Sequence, residues 1–539
     1  MQKKKSPARQ VQAKSAPDSA NTRLQTAQLL QQALVLHQSG QLAGAEALYR
    51  QILANDARHF DALQFLGMIC RNRGEFQQAF DLLNSAASIK PDHVTIHASL
   101  GNVLLDLQRP ADAIASYDRF LSFTPDFAEV LNNKANALSA LGHEAEAMLC
   151  YNQALSKQTD FPDAYFNRGN LYMDMRDYAR ALHDYEQVLQ GNASHFQSWN
   201  NRGNALLKLE RLPEAMHSYQ QGLSIAPGNA ELHACLANAY KITGHLNEAV
   251  QHYSKVLELS ATGFVRQNAA LQLAILHHVY GNAVNVESLL QAAKAMLDNV
   301  QVKDRGSLIY CAFMLKIYLW WQLFRQQTQI PQANGVLHVI GESHMLSAHN
   351  LVLSYRGQSL QCKGLWIEAC TQWRIGHAGA NHYQELMKAY LLAVPEASSV
   401  LIMVGEIDCR IDGGIYKANK KNMEPGLPQR VQKTISAFLH ALLLHAQPRK
   451  LKLIISGVPA YHIDENGLSQ QDLHDFGQFL TLFNLTLKQL TLQMGMDFLD
   501  LFAMTDGGNG KANQQWHIDA HHLRPDGILQ AFTHHLSVA

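Results

Sequence analysis

The sequence predicts two architectures in tandem, an α solenoid of helical hairpins followed by a three-layer α/β domain with a mostly parallel sheet. Three observations predict it. Aligning Gly40 with Gly74 exposes a period of 34 residues that runs through the first half of the chain. Beyond Gly335, short apolar runs alternate with long amphipathic ones, the pattern of strands joined by crossover helices. The 539 residues, 47% hydrophobic and 17% charged, suit soluble globular material in at least two domains.

Composition narrows function before any motif is read. Lys and Arg number 45 against 45 Asp and Glu, which leaves no overall basic field and excludes a nucleic-acid footprint. The seven cysteines are scattered, odd in number and never in a Cys-x-x-Cys pair, as expected of reduced thiols in the cytoplasm. Residues 1–25 are rich in Lys, Gln, Ser and Ala and lack an apolar core, so they read as a disordered basic tail and not as a signal peptide. The most apolar run, Leu308 to Phe324, carries Lys316 in its middle. It falls short of the roughly 20 residues a spanning helix needs and reads as a buried helix, so no membrane span is expected.

Residues 26–262 hold seven repeats in register, beginning at Thr26, Phe60, Val94, Ala128, Pro162, Phe196 and Ala230. A small residue recurs at the eighth position (Ala33, Gly67, Gly101, Ala135, Gly169, Gly203, Ala237), where two helices must approach closely. Alanine recurs at the twentieth, and a large residue at the twenty-fourth: Tyr49, Leu83, Tyr117, Tyr151, Tyr185, Tyr219 and Tyr253. This pattern resembles the tetratricopeptide repeat. The resemblance implies stacked hairpins forming a superhelix whose concave groove takes a protein or peptide partner. Asn102, Asn136, Asn170, Asn204 and Asn238 recur at the ninth position, with Asn133, Asn167 and Asn201 at the sixth. A carboxamide offers both a donor and an acceptor, so such a row is suited to gripping an extended peptide backbone. Asparagine at these positions also belongs to the repeat's general consensus, and both readings stand.

After Ser260 the spacing slips, as it should where a terminal unit caps the stack. Residues 263–330 therefore read as capping and linker helices. The aromatic helix with Trp320 and Trp321 packs between array and next domain, and Gln326 to Asn334 is the linker.

Residues 334–539 are expected to form the α/β domain, with strands at Val336–Ile340, Val400–Val404, Leu451–Ser456 and Phe498–Leu501 and helices at Leu427–His445, Gln470–Met494 and Pro525–Leu536. Active sites in such folds lie beyond the carboxyl ends of the strands. Ser343 follows the first strand in a Gly-Glu-Ser turn that opens a further amphipathic segment, Met345 to Leu353. There it sits among the unpaired N–H groups of a helix start. Asp519 and His522 are three apart in a loop before Pro525, a spacing that lets a carboxylate orient an imidazole. Gly341-Glu342-Ser343, Gly376 or Gly379 in Gly376-His377-Ala378-Gly379, Gly405-x-x-Asp408 and Asp519-x-x-His522 together resemble the SGNH (GDSL-like) hydrolases.

That resemblance implies Ser343 as nucleophile, His522 as general base and then acid, and Asp519 as the group fixing the His522 tautomer. It further implies the N–H groups of Ser343 and Gly376 as oxyanion donors. The family's third donor, an asparagine, is replaced here by Ile407. Loss of one such donor typically costs about 10²–10³ in turnover. His377, Asp408 and Arg410 are the candidates to replace it or to hold substrate. The implied activity is hydrolysis of an ester or acyl group carried by a glycan or peptide, with no cofactor and no metal. The alternative is a scaffold that keeps the fold with catalysis impaired.

Overall fold

The computed structural model describes residues 19–281, 285–298, 305–327, 331–367, 370–405, 409, 415, 426–460, 469–508, 510–519 and 522–539. Residues 1–18 of the predicted tail lie outside these, and residues 19–25, also read as tail, are instead helical. The chain divides into two compact units, the first ending at Ala205 and the second running from Leu206 to Ala539.

The predicted period is the observed one. The hairpins are α1 (Ser19–Gln38) with α2 (Leu42–Asn55), α3 (Phe60–Asn72) with α4 (Phe76–Ile89), α5 (Val94–Asp106) with α6 (Pro110–Phe123), and α7 (Ala128–Ala140) with α8 (Glu144–Lys157). They continue as α9 (Pro162–Asp174) with α10 (Tyr178–Gly191), α11 (Phe196–Lys208) with α12 (Leu212–Ile225), and α13 (Ala230–Ile242) with α14 (Leu246–Leu259). The small eighth residue has the steric cause the sequence suggested. A Cβ on Gly101 would lie 2.4 Å from the ring of Tyr117, and one on Gly169 2.9 Å from that of Tyr185. Those tyrosines are fully buried, and burial pushes their hydroxyls well above the usual phenol range. Between the helices of each hairpin the chain passes through a left-handed residue. It is Gly at 40, 74, 142 and 244, and Gln108, Arg176 and Glu210 in the other three repeats that show it.

Three more helices follow, α15 (Phe264–Tyr280), α16 (Val286–Lys294) and α17 (Arg305–Gln327). The rest of the chain is β1 (Gly335–Gly341), α18 (Ser343–Ala348), β2 (Val352–Tyr355), β3 (Gln358–Trp366), α19 (Gln372–Gly376), α20 (His382–Ala393), β4 (Ser399–Met403) and α21 (Leu427–Ala446). It closes with β5 (Lys452–Ser456), α22 (Gln470–Gln493), β6 (Asp497–Leu499), α23 (Leu501–Thr505), α24 (Pro525–His534) and β7 (Leu536–Ser537). The seven strands form one mixed sheet in the order β2-β3-β1-β4-β5-β6-β7. The inner five are parallel, and β2 and β7 run antiparallel at the edges.

Strand residues alternate between two apolar clusters, one on each face. Val400 and Ile402 of β4 join the cluster that includes Leu391 of α20, Phe438 of α21 and Phe483 of α22. Leu401 and Met403 join the other, built with Leu346 of α18 and Ile528 of α24 and also with Leu271, Leu290 and Phe313 from α15, α16 and α17. The helices read as caps and linker thus cover one face of the sheet. By length and composition Gly306–Phe324 of α17 is apolar enough to cross a membrane. The expected buried helix is buried on one face only: Cys311, Phe313, Met314, Ile317 and Trp321 pack inward while Ile309, Leu319 and Leu323 are exposed.

Three strands, β2, β3 and β7, were not legible. The segment expected to continue as a helix to Leu353 stops at Ala348, and β2 and β3 follow as a hairpin. Its turn residues Arg356 (φ 49°) and Gly357 (φ 79°) both have positive φ, as a two-residue primed turn requires. The hairpin is pinned from beneath. Asp497, almost wholly buried, accepts from the Arg356 guanidinium at 2.9 Å and from the Tyr355 hydroxyl.

Candidate functional site

The site forms where the order of the sheet reverses. β1 has β3 on one side and β4 on the other, and ligands of open α/β sheets bind beyond the carboxyl ends of strands at such a point. Gly341 ends β1 in contact with β4, where a Cβ would lie 2.5 Å from the Met403 carbonyl oxygen. The next amide, Glu342 N–H, donates to that same oxygen at 3.2 Å. Ser343 then opens α18 as its first residue, only 3% exposed. The Glu342 carboxylate, equally buried, accepts from Gly405 N–H at 3.4 Å across the β1–β4 gap. A small pocket alongside is lined by Glu342, His344, Met403, Val458, Pro459 and Leu501.

Asp519 and His522 meet as their spacing predicted. The imidazole Nδ1 lies 2.9 Å from each carboxylate oxygen, and the His522 backbone N–H donates to Oδ1 at 2.8 Å. A carboxylate can only accept, so this contact places the ring proton on Nδ1 and turns Nε2 away as the basic atom. The loop carrying the pair is tied on several sides. Ile518 N–H donates to the His522 carbonyl, Ser347 Oγ of α18 to the Leu523 carbonyl, and Lys316 Nζ of α17 to the Ile518 carbonyl. His522 itself is 4% exposed, with its ring centroid 5.6 Å from that of His344, the residue after Ser343.

The other predicted residues are placed differently. Gly376 ends α19 against the backbone of α21, with the Phe438 nitrogen 2.6 Å from where its Cβ would be. His377 is exposed, its ring packed on Trp373 and its Nδ1 accepting from Gly379 N–H at 3.0 Å. Asp408 and Arg410, together with Ile407, lie outside the described residues. Cys409 is fully buried, in keeping with an apolar filler. Two contributors escaped the sequence reading. Gln372, also fully buried, donates to the Val404 carbonyl at 2.9 Å and closes the space beside Gly405. Phe313 stacks flat on the His522 ring, 3.9 Å between centroids and 17° between planes. A buried glutamine near a strand end was visible only as one polar residue among many, and Phe313 as one apolar residue of a core helix.

In the first unit, the asparagines of the ninth position are held by the tyrosines fifteen residues on. Asn102, Asn136 and Asn170 each accept from a tyrosine hydroxyl, Tyr117, Tyr151 and Tyr185, at 2.7, 2.5 and 2.8 Å. Asn133 and Asn201, at the sixth position, donate to Asn102 and Asn170. The carboxamide oxygens are therefore engaged within the array. Asn204 in this unit and Asn238 in the second are half-buried like these three.

Tetratricopeptide-repeat profiles match residues 30–94, 99–164 and 166–230, and a second profile of the same repeat matches 233–315, past the limit of 262 set by spacing. No curated protein matches the chain. Among solved structures, the chain is similar to Pseudomonas aeruginosa pilF at 23% identity, covering 39% of this chain and 95% of that one, with a TM-score of 0.35. A tetratricopeptide repeat protein from Parabacteroides merdae matches at 15% identity over 50% of this chain and 98% of its own, with a TM-score of 0.38. YrrB, described as a TPR protein with an unusual peptide-binding site, matches at 16% identity over 35% and 96%, with a TM-score of 0.31.

Proposed function

We propose that this chain, a tetratricopeptide repeat protein across residues 30–315, recruits a polypeptide through its array and hydrolyses an ester or acyl bond in an SGNH-like α/β domain. One observation carries the hydrolase reading: His522 Nδ1 is held between the two Asp519 oxygens in the loop that also packs on α18, whose first residue is Ser343. The parallel strand order β3-β1-β4-β5-β6, with its reversal at β1, supports it.

In this reading Ser343 Oγ attacks the acyl carbonyl and His522 Nε2 takes the hydroxyl proton. Asp519 keeps Nδ1 protonated and stabilises the imidazolium. The proton then passes to the departing alkoxide as the C–O bond breaks, leaving an acyl-serine and an alcohol. Water repeats the sequence and releases the acid. The Ser343 N–H at the start of α18 is one oxyanion donor. Gly376, His377 and Arg410 remain the proposed sources of the others, with Asp408 proposed to hold substrate or to pair with Arg410. The reaction requires no cofactor.

A fluorophosphonate probe tests the assignment directly, because it modifies a serine only when a neighbouring base activates it. Labelling is expected on the Ser343 peptide, absent in Ser343→Ala and reduced at least a hundredfold in His522→Ala, with Cys409→Ala unaffected. Labelling elsewhere, or label that survives Ser343→Ala, rules the mechanism out. A non-hydrolytic scaffold is the second reading, favoured by Gly376 lying against α21. It predicts no label at all.

For the array we propose that the row reads peptide carbonyls. With their oxygens on tyrosine hydroxyls, Asn102, Asn136 and Asn170 turn their amide nitrogens to the role of peptide donors in this reading. Alanine would orphan the buried tyrosine hydroxyls, so aspartate is the better probe: it keeps the acceptor and deletes the donor. The triple Asn→Asp variant at 102, 136 and 170 is expected to weaken a captured peptide by about 100-fold at physiological salt, at roughly 1 kcal/mol per lost bond. Isothermal titration with that peptide measures it, and unchanged affinity would reduce the row to a structural ladder.

A further inference from the structure

We infer that Phe313 of α17 is a positioning residue for His522, so that the helix leading out of the repeats supplies one wall of the hydrolytic site. This rests on the hydrolase reading and adds to it a residue from outside the α/β segment. The imidazole is clamped along one edge by Asp519 through Nδ1. An edge contact alone leaves the ring free to tilt about the Nδ1–carboxylate line, and tilt would swing Nε2 away from a serine on α18. The Phe313 face at 3.9 Å and 17° blocks that motion on one side. Phe313 is fully buried in the cluster that covers the sheet, so its ring is itself fixed. Lys316, one turn further along α17, donates 3.0 Å to the Ile518 carbonyl and fastens the same helix to the same loop.

The contact also has an electrostatic sense. The face of an aromatic ring is negative and favours a cation resting on it, so the platform stabilises the imidazolium that proton transfer from serine creates. Among the described residues, Asp519 lies 2.9 Å from Nδ1, His344 and Tyr310 have centroids 5.6 and 6.3 Å away, and the Lys316 ammonium is engaged by the Ile518 carbonyl. None of these replaces a stacked face.

The test compares Phe313→Leu, which keeps apolar bulk but loses the π face, with Phe313→Tyr, which keeps it, in the full chain. Each is followed by steady-state hydrolysis of nitrophenyl acetate and by NMR titration of His522 in ring-labelled protein, assigned with His522→Gln. In Phe313→Leu, kcat is expected to fall about tenfold with KM unchanged, the His522 titration to move down by about half a unit to one unit, and the ring signals to lose their upfield ring-current shift. Phe313→Tyr should restore all three. Parent-like kcat and titration in Phe313→Leu would overturn the proposal. So would equal loss in both variants, which points to a core defect. Should the parent hydrolyse nothing, the reaction fails by itself, and a His522 titration that still shifts in Phe313→Leu and recovers in Phe313→Tyr supports the platform alone.

Discussion

On the hydrolase reading proposed above, Asp519→Asn is expected to cut ester hydrolysis by about three to four orders of magnitude while leaving the domain folded. Two contacts decide it. The His522 backbone N–H donates to Oδ1, and an asparagine oxygen can keep that bond. Its amide nitrogen then occupies the place of the second oxygen, 2.9 Å from Nδ1, where it can only donate. The oxygen that is kept also lies 2.9 Å from Nδ1, but it already takes the backbone N–H, so an amide nitrogen beside Nδ1 favours the tautomer with the ring proton on Nε2, and the atom that should take the serine proton then carries one. The loop retains its remaining ties, Ile518 to His522, Ser347 to Leu523 and Lys316 to Ile518. Stability should therefore stay within about 0.5 kcal/mol of the parent, as for a substitution that leaves packing intact. Rates on a short-chain nitrophenyl ester measured beside a thermal melt separate the two effects. Retention of more than a tenth of parental turnover would mean that Asp519 does not govern the tautomer.

What could be read in advance follows from how local each constraint is. The array was legible in register because one steric demand repeats: Gly101 faces Tyr117 and Gly169 faces Tyr185 at the same spacing, and the predicted starts at Phe60, Val94, Ala128, Pro162, Phe196 and Ala230 are the observed ones. Strands β4 and β5 were legible because both of their faces are buried, which leaves an uninterrupted apolar run. β3 was not. Its buried and exposed residues alternate through Gln358-Ser359-Leu360-Gln361-Cys362-Lys363, and so short a period of two leaves no uninterrupted apolar run to mark a strand. β7 has two residues and no pattern to show. The same logic divides the site. Asp519 and His522 reach one another through a single loop, so their spacing carries the geometry. The Phe313 contact is between elements remote in sequence, and only the packing of α17 on the sheet creates it.

Gly341→Ala should be the most damaging small change in the α/β domain. The residues a new Cβ would strike are backbone: the Met403 oxygen at 2.5 Å and carbonyl carbon at 3.1 Å, with Met403 Cβ at 2.9 Å. Gly341 pairs with Met403 in the ladder and its own carbonyl accepts from Ile367 N–H at 2.9 Å, so β1 is held on both sides and cannot slide to make room. The strain has to open the β1–β4 seam at its carboxyl end, at a cost of about 2–3 kcal/mol. Hydrogen exchange at the β1 and β4 amides reads that seam locally, and faster exchange by about 30–100-fold is expected there. By contrast, the ring Gly101 abuts is a side chain, and Gly101→Ala tests solenoid packing without touching the site. Because Glu342 N–H leans on the same Met403 oxygen and Ser343 follows directly, opening the seam also moves the serine. Fluorophosphonate labelling should fall together with protection. A Gly341→Ala protein that loses protection yet labels at the parental rate would show that α18, through Ser347 and the Leu523 carbonyl, positions Ser343 independently of β1.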